Sequence, residues 1–178
     1  MGIFSFLRRP RLDPAARTAL VAYLKAEVEL AAVQGKAADE YNQAVAEALT
    51  MANTLLSPAE EAAVLQNLVG ATSRYFETLK SIATLHNSIQ VPPEGTDYFL
   101  AHEILYRSYV HWCEARLLGY SNAGYLTQAQ EDAASVADKA FMRDKKEADK
   151  AKGRLLQTLG FSPHELVKMM QEARESSR

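Results

Sequence analysis

A single cysteine in 178 residues leaves no partner for an intrachain disulfide, so a disulfide-stapled scaffold is excluded and the usage fits a reducing compartment. Glycine and proline are sparse too, at 8 and 6 residues, and with abundant Ala, Leu, Glu and Gln this points toward helix. No apolar run lasts the roughly 20 residues that a bilayer crossing requires. The first residues place their apolar side chains before the arginines, the reverse of a secretory leader. A cytoplasmic chain is therefore expected.

Net charge is only −2, but it is unevenly spread. Residues 18–130 carry six basic and twelve acidic groups, which argues against a broad nucleic-acid face, because phosphate binding needs a basic stripe. Residues 131–178 carry ten basic and nine acidic groups and read as solvated helix surface.

The elements announce themselves by their caps. "SPAE" at 57–60 and "SPHE" at 162–165 each place Ser at the N-cap, Pro at N1 and Glu at N3. "TQAQ" at 127–130 is a third capping box, and Asp13 before Pro14 reads as another N-cap. Breaks fall at "VPPEGTD" (91–97), at Gly119 read as a C-terminal cap, and at Gly160. Helices are predicted over 14–54, 58–90, 97–118, 128–159 and 163–176, with no strand pattern.

Within the first helix, Leu20, Leu24, Glu27, Ala31, Gln34, Ala38, Tyr41, Val45, Ala48, Ala52 and Leu55 recur in alternating steps of four and three, a heptad seam. The second helix has a similar seam through Leu65, Leu68, Thr72, Tyr75, Leu79, Ile82, His86 and Ile89, and the fourth a poorer one through Ala134, Ala137, Phe141, Asp144, Ala148, Ala151 and Leu155. Long helices with short links fold back on one another. The expected fold is all-α: an elongated antiparallel four-helix bundle with coiled-coil-like seams plus a short C-terminal helix. It forms a single domain over 13–178, preceded by an apolar and basic segment at 1–12. A kink or weak point is expected at Gly35, and the first helix is long enough to overhang the others.

Little in the chain reads as catalytic chemistry. His111 and Cys113 are about 200° apart on a helix, so they point to nearly opposite faces and cannot share a ligand. The Glu-x-x-His motif of di-iron bundles is missing: the residues three before His86, His102, His111 and His164 are Ala83, Phe99, Ser108 and Phe161. No metal site, cofactor or catalytic set is expected, and Cys113 reads as a small buried hydrophobe. The third helix is apolar around much of its circumference, as a central and largely buried helix would be.

Two functional readings remain. The first is a non-enzymatic bundle acting by protein–protein interaction or self-association, as scaffold, adaptor or assembly component. Ile3, Phe4, Phe6 and Leu7, followed by Arg8, Arg9 and Arg11, would dock on a partner or on an anionic membrane surface. The second is a ligand-binding or sensory bundle using His102, Tyr106, Tyr109 and Trp112 of the third helix. Its plainer alternative makes His102 a core histidine held by a tyrosine hydroxyl. The seam residues Glu27, Gln34, His86 and Asp144 either fix register or form a proton or cation site.

Overall fold

The computed structural model describes residues 12–51, 54, 56–121, 127–162, 164–165, 167–168 and 171–172. Four long helices account for most of these: α1 (Pro14–Met51), α2 (Pro58–His86), α3 (Thr96–Ser121) and α4 (Gln128–Leu159). No strand occurs among the described residues. The N-terminal anchor residues Ile3, Phe4, Phe6, Leu7, Arg8, Arg9 and Arg11 lie outside the described part of the chain.

The caps are satisfied as their sequences require. Ser57 accepts the Glu60 N–H while its own N–H donates to the Glu60 carboxylate at 2.8 Å, and Thr127 and Gln130 repeat the exchange at the start of α4. At the other end of α4, Gly160 takes φ 72°, and Phe161 N–H reaches back to the Leu156 carbonyl at 2.9 Å. That left-handed cap favours a residue without a Cβ. Ser162 opens a further box, its N–H donating to Glu165 at 2.7 Å, and helical conformation holds at the described residues beyond it.

Three helix ends move, and the first is that of α1, which closes at Met51 rather than at 54. α2 stops at His86, because Asn87, Ser88 and Ile89 turn their N–H groups back onto the Ala83, Leu85 and His86 carbonyls before the prolines arrive. α3 does not stop at Gly119. It runs to Ser121, with Gly119 buried in it and Tyr120 packed on the cluster of Ala44, Leu68 and Ala71. Tertiary packing there outweighs the cost of an interior glycine, about 1 kcal/mol. α1 is one continuous helix through Gly35.

The bundle runs up, down, up, down. α1 packs along α2, α2 along α3 and α3 along α4, whereas α1 and α4 meet chiefly at one end. There Leu20, Tyr23, Leu24 and Val28 close on Ala151, Leu155, Leu156 and Leu159. Midway, Tyr41 stacks on Tyr75 at 5.5 Å beside Leu79 and Cys113. A third cluster of Ala44, Leu68 and Ala71 lies toward the other end, with Ala48 and Tyr120 packed on it. Fully buried Leu20, Leu24 and Leu79 each contribute about 2 kcal/mol by leaving water.

The heptad seam of α1 is a guide rather than a boundary, because Tyr23, Val28, Ala32 and Ala44 beside it are buried as well. The third helix is less enclosed than its composition implies. The sides bearing Tyr98 and Leu105, and Tyr106 and Cys113, face inward, but Ile104 and Leu118 are each half exposed and His111 between them is exposed, so the line through these three faces solvent.

Candidate functional site

Three of the polar residues on the seams and on α3 converge. Glu27 of α1 is 2% exposed and His86 of α2 is wholly buried. The Glu27 Oε1 atom lies 3.2 Å from His86 Nε2, and Oε2 lies 3.9 Å from His102 Nδ1 of α3. Each side chain arrives from a different helix, by its own heptad register. Aromatic rings wall the site: Phe99 stacks flat on His86 at 4.4 Å, Tyr98 lies 4.1 Å from His102, and Tyr106 meets His86 edge-on at 5.0 Å.

Hydrogen bonding does not keep pace with this burial. Among the described residues, the Glu27 oxygens, both His86 nitrogens and His102 Nδ1 are buried without a well-formed hydrogen bond, and the Tyr23 hydroxyl finds only the Glu27 carboxylate. Glu27 stands at ion-pair distance from both imidazoles. A partnerless buried polar group costs about 1–3 kcal/mol, so this layer detracts from stability as it stands.

Burial, assisted by the charges of His86 and Lys152 and opposed by Asp149, pushes the His102 imidazole down to about 3. His102 is therefore neutral at physiological pH. Burial and the Glu27 carboxylate together raise the Tyr23 phenol far above its ordinary range, and burial does the same for Tyr98 and Tyr106. Lys152, half-buried on α4, has its pKa lowered chiefly by desolvation.

Tyr23, buried at 3% exposure, backs a groove of about 510 Å³ between Ala19, Ala22 and Ala26 of α1 and the Ile89–Pro93 link. Tyr23 thus stands between this groove and Glu27. Gly95, in a short 3₁₀ turn, presses on its other side: a Cβ there would lie 3.0 Å from two Tyr23 ring carbons and 3.3 Å from Leu20. Gly95→Ala is expected to destabilise the fold by about 1–2 kcal/mol in urea unfolding, by forcing the ring off its seat. An unchanged midpoint would show that the contact is slack.

The four residues singled out on α3 separate into two groups. His102 and Tyr106 join the Glu27 layer, whereas Tyr109 and Trp112 pack on Phe141 of α4 at 4.5 and 5.8 Å. Trp112 also donates its indole N–H to Asp138 at 2.7 Å, and Arg116 pairs with the same carboxylate at 3.1 Å. Among the described residues, His102 Nδ1 has no tyrosine hydroxyl as a partner. Of the other polar seam residues, Gln34 lies against the hydroxyls of Tyr75 and Tyr109. Asp144 accepts from Ser108 and pairs with Arg143 at 2.7 Å, and this guanidinium holds its carboxyl below the usual range.

His111 and Cys113 do point apart, one exposed beside Glu114 and the other fully buried. Burial pushes the Cys113 thiol up to about 12, so it carries no thiolate at neutral pH. Among the described residues no three His, Cys, Asp or Glu side chains are placed to hold a metal ion. Nor is any described helix long and apolar enough to cross a membrane. No protein-family model, curated protein or solved structure matches this chain.

Proposed function

We propose that the protein is a non-enzymatic sensory bundle in which Glu27, His86 and His102 receive the input. The packing of α1 against α2 and α3 carries the output. One observation supports this above all: among the described residues, the buried polar atoms of Glu27, His86 and His102, on three helices, lack well-formed hydrogen bonds. An apolar layer of the same volume would hold the helices together at least as well. Perturbed, desolvated groups that stability does not require are the usual mark of a functional site.

The input this layer accepts is a proton, or a small polar ligand bearing hydrogen-bond donors that enters beside Tyr23. A second charge on the layer has to be accommodated among Glu27 on α1, His86 on α2, Tyr98 and Tyr106 on α3, and Asp149 and Lys152 on α4. Hydrogen exchange measured at pH 8 and again near pH 5, corrected for intrinsic rates, tests the idea. Amides around Glu27, His86 and His102 should lose protection on acidification well before those around Tyr41 and Leu79. In His102→Phe the difference should shrink. Uniform loss along the bundle in both proteins would end this reading.

A second reading, protein–protein interaction, is favoured by the hairpin tip. Beyond the last core cluster, Ala48, Met51, Leu56, Val64 and Leu65 line an apolar groove of about 200 Å³, and Leu49 nearby is 64% exposed. Light scattering of the wild type against a Met51→Glu, Val64→Glu variant separates a self-associating tip from an inert one.

A further inference from the structure

We infer that the outward face of α4 is a docking surface for an anionic lipid bilayer. This goes beyond the sensory reading and does not depend on it. Lys139, Arg143, Lys146, Lys150 and Arg154 are all exposed. Steps of four, three, four and four place them within an arc of about 80° along one side of the helix, over about 22 Å. No carboxylate between 139 and 154 lies within that arc. Asp144 reaches Arg143 from the core side, and Glu147 stands at the edge, 2.6 Å from Lys150. Lys139, Lys146 and Arg154 have no ion-pair partner within 4 Å among the described residues; Glu147 feels the charges of Lys146 and Arg154 only at longer range.

The sign of this face is opposite to that of the rest of the bundle. Residues 139–154 hold seven cations and three carboxylates, whereas residues 18–130 hold six basic and twelve acidic groups. A bundle polarised in this way turns α4 toward a negative surface and α1–α3 away from it.

The chain's entry point selects a bilayer over other polyanions. Leu12 packs against the core cluster that includes Leu20, Leu155 and Leu159, and Arg17 donates to the Leu159 carbonyl at 3.3 Å. The sequence preceding Leu12 therefore joins the bundle at the Arg154 end of the stripe. That sequence carries Ile3, Phe4, Phe6 and Leu7 ahead of three arginines. Apolar side chains followed by a basic collar suit a headgroup boundary, where hydrocarbon and phosphate lie within a few ångströms of each other. A nucleic acid offers the phosphates without the apolar phase. Lying lengthwise, the bundle would set the whole stripe against the headgroups, with Met142, 63% exposed, along its margin.

Flotation of the full chain with vesicles tests the inference. Vesicles with about one-third phosphatidylserine should carry the protein up at about 0.1 M salt, pure phosphatidylcholine should not, and about 0.5 M salt should release it. The variant Lys139→Gln, Lys146→Gln, Arg154→Gln should weaken partitioning about 100-fold, at roughly fivefold per cation removed. The matched variant Lys25→Gln, Lys36→Gln, Lys80→Gln on α1 and α2 should bind as wild type does, and far-UV circular dichroism of both variants confirms equal folding. Deleting residues 1–9 should weaken binding while leaving a salt-sensitive remainder. The inference is overturned by equal binding to neutral vesicles or by an α4 variant that floats normally. Wild-type protein that ignores vesicles but binds duplex DNA or polyglutamate would overturn it too.

Discussion

His86→Leu is expected to destabilise the protein by about 3–5 kcal/mol, and adding Glu27→Leu to it should restore wild-type stability or exceed it. The single change leaves the Glu27 carboxylate buried at 2% exposure without its His86 imidazole partner, a loss of the size seen when one partner of a buried pair is removed. The double change removes both desolvation costs and fills the space with apolar side chains between Phe99 and Tyr106. Buried pairs replaced in this way are commonly neutral to stabilising by about 1–4 kcal/mol. Urea unfolding of the wild type, the two single variants and the double variant closes the cycle. A double variant as unstable as His86→Leu would mean that the pair holds the helices in register, and that its burial needs no functional explanation.

The second large effect is one of pH. An unfolded histidine titrates near 6.5, and His102 in the bundle is held down to about 3 by burial. Its folded pKa is depressed, so the unfolded chain binds the proton more readily. Stability is complete above pH 6.5 and falls as pH drops through the window from 6.5 to 3. At about 1.4 kcal/mol per pH unit, the wild type should lose roughly 3 kcal/mol from this one group between neutrality and pH 4.5. His102→Phe should flatten the curve across that window. Asp144, whose carboxyl is held low by Arg143, gives its stabilisation above the normal carboxylate range and loses it only at lower pH. The two contributions therefore separate along the pH axis. Equal slopes for wild type and His102→Phe between pH 6.5 and 4.5 would show that solvent reaches His102 more freely than its surroundings suggest.

Both predictions concern a layer whose members were each visible in the sequence, though their meeting was not. Glu27 and His86 stand out as polar interruptions of apolar seams, and His102 as the polar member of an aromatic stripe. Nothing in a one-dimensional pattern indicates that the three share a level in the bundle. That depends on how far α2 slides along α1 and where α3 re-enters, offsets set by the 87–95 link and by tens of packed side chains. The same uncertainty grouped Tyr109 and Trp112 with His102, although Phe141 and Asp138 of α4 take both of them further along the bundle. The α4 stripe was open to the sequence in principle. Lys and Arg recur there at helical spacing, but a count of charges over the C-terminal third averages them with the carboxylates on other faces of the same helix.

By itself the sequence determined the helices and those of their ends that carry a capping box or a left-handed glycine. Ser57, Thr127 and Gly160 act through hydrogen bonds that reach only three to five residues, so the chemistry that stops or starts a helix is contained in the residues around it. The sequence also determined which face of each helix is apolar, because a period of 3.6 residues is a local property. Tertiary structure alone decided that Gly119 remains inside α3, that the Ile104–Leu118 line faces solvent, and that one carboxylate meets two imidazoles in the core. These outcomes balance a local preference of about 1 kcal/mol against packing summed over several helices, and that sum exists only once the helices have met.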